Sequence, residues 1–303
     1  MKDFLKIAAV VLALGLAARG AWGVLTGALS GGMFAPADYT ETVQTGGELE
    51  AAYLAAGPHQ TEQLTVPAPR EEWGSFTAWY PADLPQSDAQ YPVVVMVNGT
   101  GVYASKYPAV FEHLASWGFI VVGNEDPSTC TGASADALLA WLLNENATPD
   151  SLLYGRVDTA NIGLCGHSQG GVGVFNAVNE QPRGGLYRCA VSLSPTDRDL
   201  AEALNMPYDP AGTSIPVLLL AADSSDVIEL DGMQRIFDAL PGPKAMARRT
   251  GANHGQMLYT ADGYVTAWLL WHLQGDEAAA RAFTGAAPEL ASNPLYQDVR
   301  LAC

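Results

Sequence analysis

Ser168 sits at the centre of Gly166-His167-Ser168-Gln169-Gly170-Gly171, after the apolar run Ile162-Gly163-Leu164-Cys165 and before a helical stretch at 172–180. That order puts the serine at the apex of a strand, a tight turn and a helix. The turn imposes strained backbone angles on Ser168, and a side chain at Gly166 or Gly170 would strike the neighbouring strand or helix. A hydroxyl held clear of the backbone at a helix N-terminus suits attack on a carbonyl, because the helix end favours the negative charge that develops.

A serine nucleophile needs a base, and the base needs an orienting acid. On a turn of this kind the partners follow the serine in chain order, acid and then histidine. Two histidines follow Ser168. His254 lies in the polar loop Thr250-Gly251-Ala252-Asn253-His254-Gly255, directly after a strand. His272 lies in an apolar helix, where a packed histidine is the natural reading, so His254 is the expected base. For the acid, Asp223-Ser224-Ser225-Asp226 follows the strand at 217–222. Asp226 is placed to reach the far imidazole nitrogen, whereas Asp223 suits a turn cap. Asp197 is a third option, although its neighbours Arg198 and Asp199 point to a solvated loop. Two backbone amides must also meet the oxyanion. One is expected from Gln169, the other from Thr100 in Asn98-Gly99-Thr100-Gly101, where glycines permit close approach.

Positioning these groups requires a sheet. Residues 92–97 form a continuous β-branched run, the mark of a strand buried on both faces. Further strands are predicted at 76–80, 119–123, 162–165, 190–193, 217–222 and 245–249. Helices are predicted at 107–117, 172–180, 231–240 and 263–273, with another capped by Ser134 and carrying Leu138, Leu139, Trp141 and Leu142. Strands alternating with helices imply one α/β domain, a doubly wound and mostly parallel sheet with helices on both faces.

The chain has 303 residues, 49% hydrophobic and 16% charged, with a net charge of −17. That balance argues against nucleic acid or an anionic membrane surface as partner. Lys2 and Lys6 precede an unbroken apolar stretch at 7–18, which fits a signal peptide and is short for a bilayer span of about 20 residues. Cleavage would fall near Ala21-Trp22-Gly23. An uncleaved anchor is the alternative, since 20–32 carries no charge. The organisation expected is a signal or anchor at 1–32, a linker at 33–48 and the folded domain at 49–303, secreted or held at the cell envelope. The four cysteines suit an oxidising compartment and leave room for one disulfide of unspecified pairing. Neither they nor the five histidines show metal-binding spacing, so no metal or cofactor is expected.

Together these residues resemble the α/β-hydrolase superfamily, and within it the cutinase-like polyester hydrolases with the neighbouring chlorophyllase-like and dienelactone-hydrolase-like branches. The likeness spans 49–303. It is carried most by Tyr154-Gly155-Arg156-Val157-Asp158-Thr159-Ala160-Asn161-Ile162-Gly163 running into the serine turn. His113-Leu114-Ala115-Ser116-Trp117-Gly118-Phe119, Leu49-Glu50-Ala51 with Gly57-Pro58, and Asp298-Val299-Arg300 add to it. The resemblance implies the α/β-hydrolase fold and cofactor-free hydrolysis of a small or polymeric ester by a monomer. It also implies a Ser168, Asp226, His254 triad with the Thr100 and Gln169 amides as oxyanion donors. An amidase or acyltransferase with the same triad, or a non-catalytic binding member, is the alternative. Two departures bear on substrate. The polyester hydrolases carry aromatic residues where Thr100 and Thr196 stand, and each missing ring removes on the order of 1 kcal/mol of stacking. Aliphatic or small acyl esters are therefore expected over aromatic polyesters. Cys303 matches one half of that family's C-terminal disulfide, with no partner nearby in sequence.

Overall fold

Every residue of Tyr91–Val97 is buried. Val94 and Met96 enter one core, and Val93, Val95 and Val97 enter the other, as the two-residue period of a strand requires. The computed structural model describes residues 34–303, so the expected export segment at 1–32 lies outside the described residues. Among the described residues no helix is long and apolar enough to cross a membrane.

Nine strands form one sheet: β1 (Thr61–Pro67), β2 (Ser75–Pro81), β3 (Tyr91–Val97), β4 (Ile120–Asn124), β5 (Val157–His167), β6 (Tyr187–Leu193), β7 (Val217–Ala222), β8 (Lys244–Arg249) and β9 (Tyr296–Ala302). Their order is β1-β2-β4-β3-β5-β6-β7-β8-β9. The six strands from β4 to β8 in that order are mutually parallel. At the margins β1, β2 and β9 run antiparallel. Strand order reverses at β3, where the chain passes from β4 to β5. In open α/β sheets the crevice beyond the carboxyl ends at such a reversal is where ligands bind. Asn98 and Ser168 follow the last residues of the two strands that flank it.

Helices cover both faces, as predicted. On one side α1 (Tyr39–Thr42), α2 (Glu48–Leu54), α3 (Pro108–Ser116) and α8 (Asp262–Gln274) pack on the core of Phe111, Leu114 and Trp268. On the other, α4 (Ala133–Ala147), α5 (Gln169–Asn179) and α7 (Leu230–Ala239) close over Leu138, Phe175 and Ile236. Three further short α-helices lie among the described residues: α6 (Arg198–Ala203), α9 (Glu277–Ala280) and α10 (Glu289–Ser292).

Several features depart from the sequence reading. The N-cap of α4 is Gly132, with φ of 71°, and Ser134 lies inside the first turn. β1 and β9 are polar edge strands with too little apolar alternation to announce themselves. The 33–48 stretch, expected as a linker, contributes to the core of the domain from Ala35 onward: Tyr39 is fully buried, and its hydroxyl donates to Asp262. All four cysteines are free, with Cys130, Cys165 and Cys189 buried and Cys303 exposed.

Candidate active site

Ser168 connects β5 to α5 with φ of 59° and ψ of −120°, the left-handed half of the map that a residue with a side chain seldom enters. Its neighbours explain why the turn is held. A Cβ on Gly166 would lie 2.2 Å from the Gly170 carbonyl oxygen, and one on Gly170 would lie 1.9 Å from that of Val97. Helix α5 thus presses directly on the end of β3, and only glycine permits it. The Ser168 amide donates to the Leu193 carbonyl at 2.8 Å, which ties the apex to β6.

His254 begins a short 3-10 helix, His254–Leu258, beyond β8. Asn253 caps it by accepting the Gln256 amide, and the Gln256 side chain accepts the Asn253 amide in return. The fixed turn brings His254 Nε2 to 3.0 Å from Ser168 Oγ, and His254 Nδ1 to 2.8 Å from Asp226 Oδ1. Carboxylate oxygens only accept, so Nδ1–H donates to Asp226 and Nε2 is free to accept the serine hydroxyl. Asp226 is nearly buried. Its Oδ2 accepts the Ser194 hydroxyl at 2.6 Å and the Ala222 amide at 2.7 Å, and Oδ1 accepts the Val227 amide at 2.7 Å. Burial pushes its pKa up, but the hydrogen bonds from His254, Ser194 and Ala222 outweigh burial and hold it below the usual carboxylate range.

The other two acid candidates lie elsewhere. Asp223 accepts the Gly251 amide at 2.9 Å and the Gln297 side chain at 3.0 Å, so it braces the loop that carries His254. Ser224 adds a bond to the Ala252 carbonyl at 2.9 Å. Asp197 caps α6 and pairs with Arg235 at 3.1 Å. His272 packs against Trp268 on α8, and burial lowers its pKa to about 4.

The loop after β3 lies against the serine turn, for a Cβ on Gly99 would stand 3.4 Å from that of Ser168. Gln169 is the first residue of α5, and its amide is among those with no partner inside the helix. Thr100 and Gln169 thus belong to two loops that meet beside the serine. Thr196, the other position at which the sequence departs from the resembled family, is buried, and its carbonyl accepts the Tyr208 hydroxyl at 3.0 Å.

Four supporting residues carried no sequence signal. Ser194 adopts φ of 42° and aims its hydroxyl at Asp226. His167 is buried, donates from Nε2 to the His254 carbonyl at 2.8 Å, and lies with its ring 4.6 Å from that of His254. Burial, and then His254 itself, lower the His167 pKa to about 3, so it is a neutral donor. Asn98 and Thr129 lie beneath the loops. Arranged in this way, the imidazole can carry one proton from an attacking hydroxyl to a leaving group while the carboxylate holds its tautomer and orientation.

A family model described as PET hydrolase-like matches residues 37–291. Among curated proteins, a bis(hydroxyethyl) terephthalate hydrolase of Streptomyces coelicolor is 27% identical over 155 residues, 51% of this chain and 46% of that protein. Cutinase 2 of Thermobifida cellulosilytica is 24% identical over 190 residues, 60% of this chain and 66% of the relative. Cutinase cut1 of Thermobifida fusca is also 24% identical over 190 residues, covering 60% and 54%. The chain spans between about half and two thirds of the length of these relatives.

Proposed function

Because this chain belongs to the PET hydrolase-like family, we propose that it is a serine-dependent carboxylic ester hydrolase acting through Ser168, His254 and Asp226. The observation that carries the reading is the continuous line from Ser168 Oγ through the imidazole to Asp226, with contacts of 3.0 and 2.8 Å. The curated relatives named as cutinases and as a terephthalate-ester hydrolase support the same chemistry.

In this mechanism His254 Nε2 takes the Ser168 proton as Oγ bonds to the ester carbonyl carbon. The carbonyl π pair moves onto oxygen, where the Thr100 and Gln169 amides stabilise it. Asp226 holds the Nδ1–H tautomer and stabilises the imidazolium. The tetrahedral intermediate collapses, the alcohol leaves with the proton from Nε2, and Ser168 carries the acyl group. Water, deprotonated by His254, attacks in turn, and the acid departs with Ser168 restored.

The substrate in this reading is an aliphatic or small acyl ester, free or within a polymer, because Thr100 and Thr196 supply no ring to stack on an aromatic acid. The lysine-flanked apolar segment at 1–32 supports export. Two measurements test the proposal. Wild type is expected to label at Ser168 with a fluorophosphonate and to hydrolyse p-nitrophenyl acetate or octanoate. Ser168→Ala is expected to lose both while keeping the wild-type Tm. Ester turnover in that variant would refute the nucleophile. Absence of labelling in folded wild type would favour a binding protein, and turnover of a matched amide at the ester's rate would favour an amidase.

A further inference from the structure

The two proposed oxyanion donors come from separate parts of the chain, Thr100 from the loop after β3 and Gln169 from the start of α5. Two amides stabilise one oxygen only if both are aimed at the same point to within a fraction of an ångström. Packing limits how closely the two segments approach, since a Cβ on Gly99 would already stand 3.4 Å from that of Ser168 and one on Gly170 would strike the Val97 carbonyl. Packing alone does not stop them from drifting apart.

A buried chain of hydrogen bonds supplies that second limit, and it runs through the Gln169 side chain rather than its amide. Gln169 Oε1 accepts the Thr129 amide at 2.9 Å, and Nε2 donates to Met206 Sδ at 3.1 Å. The Thr129 hydroxyl donates to the Asn98 carbonyl at 2.6 Å. The Asn98 side chain is held at both ends: Oδ1 accepts the Tyr107 hydroxyl at 2.8 Å, and Nδ2 donates to the Asn124 carbonyl at 2.7 Å. Asn98, Thr129 and Gln169 are each at most 3% exposed, so water does not compete for these groups. Asn98 stands two residues before Thr100, and Gln169 is the other donor itself. The chain of bonds therefore begins at one wall of the oxyanion hole and ends at the other.

We propose that Thr129 and the Gln169 side chain are positioning residues that fix the separation of the two oxyanion donors. This rests on the esterase reading above. A gap set in this way stabilises the tetrahedral oxyanion and makes no contact with the substrate's ground state. Its loss lowers kcat and leaves KM in place.

The test compares Thr129→Val, which keeps the shape and removes the hydroxyl, with Thr129→Ser, which restores it, and with Gln169→Met, which keeps the backbone amide and removes both side-chain bonds. Each is assayed on p-nitrophenyl butyrate alongside wild type, with the Tm recorded. We expect kcat to fall roughly 10- to 100-fold in Thr129→Val and Gln169→Met with KM within about twofold, and Thr129→Ser to recover to within about threefold of wild type. The double variant should be no worse than the weaker single one, since both cut the same chain of bonds. Affinity for a boronic acid transition-state mimic should fall in step with kcat/KM. Folded Thr129→Val and Gln169→Met with wild-type kcat, a loss confined to KM, or a Thr129→Ser as impaired as Thr129→Val would each overturn the proposal. If Thr129→Val does not fold, Gln169→Met decides alone. An inactive, unlabelled wild type would instead defeat the esterase reading.

Discussion

Asp226 and Asp223 stand three positions apart, yet one accepts four hydrogen bonds beside His254 and the other ties down the loop behind it. Ser225, at φ of 50°, reverses the chain between them. Spacing favours Asp226 but does not exclude its neighbour, because the decisive quantity is a backbone angle. Their substitution should separate the two cleanly. Asp226→Asn is expected to lower kcat by on the order of 10³ to 10⁴, since an amide cannot hold the required imidazole tautomer. Asp223→Asn keeps an acceptor for Gly251 and should cost less than about tenfold. Equal losses in steady-state assays of the two variants would contradict the geometry. That Ser168 and His254 meet was readable because glycine steric demands and chain order constrain them strongly. Ser194, His167 and Thr129 were not, because each acts through a residue far along the chain, 32 positions away for Ser194 and 40 for Thr129.

Among the elements, the parallel strands were legible and the edge strands were not, for a physical reason. β3 and β7 are buried on both faces, so only apolar residues are tolerated and the run is continuous. β1 is exposed along much of its length, and its pattern Thr-Glu-Gln-Leu-Thr-Val-Pro carries little hydrophobic signal. The β5–α5 junction is tightly packed, backbone against backbone. Gly170→Ala should destabilise by on the order of 3 kcal/mol or more, since its Cβ would meet the Val97 carbonyl oxygen with no room to relax. Gly185→Ala, at a position with nothing within 4 Å, should change stability by no more than about 0.5 kcal/mol. Denaturant melts of the two variants measure the difference.

For the whole molecule, the residues before α2 close the core rather than lead up to it. The Tyr39 hydroxyl and His113 Nδ1 both meet Asp262 Oδ2, the latter at 2.6 Å, while His113 Nε2 meets the Ala55 carbonyl at 3.0 Å. Arg249 reaches the Gln44 carbonyl from β8. Both ring nitrogens of His113 face oxygen atoms, which favours the doubly protonated imidazole. Burial opposes that charge, but Asp262 and the carbonyl outweigh it and raise the pKa above the ordinary 6.5. The stabilisation is therefore complete below about pH 6.5 and is lost as pH rises through the higher folded-state value. Tm should decline as pH rises above about 6.5, and His113→Gln should flatten that slope. A slope unchanged in the variant would assign the decline to other groups. This cluster was beyond sequence reading, because its members come from three distant segments and each looks ordinary alone.

The bonds that hold the base loop also impose an order in time. The Thr250 amide donates to the Leu295 carbonyl, and Gln297 reaches back to Asp223. A ribosome releases Ser168 well before His254, and the residues that brace the histidine's loop later still. The nascent chain therefore carries the Ser168 hydroxyl before the residues that brace the His254 loop have emerged. A chain truncated before Leu295 is therefore expected to keep the serine turn and to lose the braced approach of His254 to it.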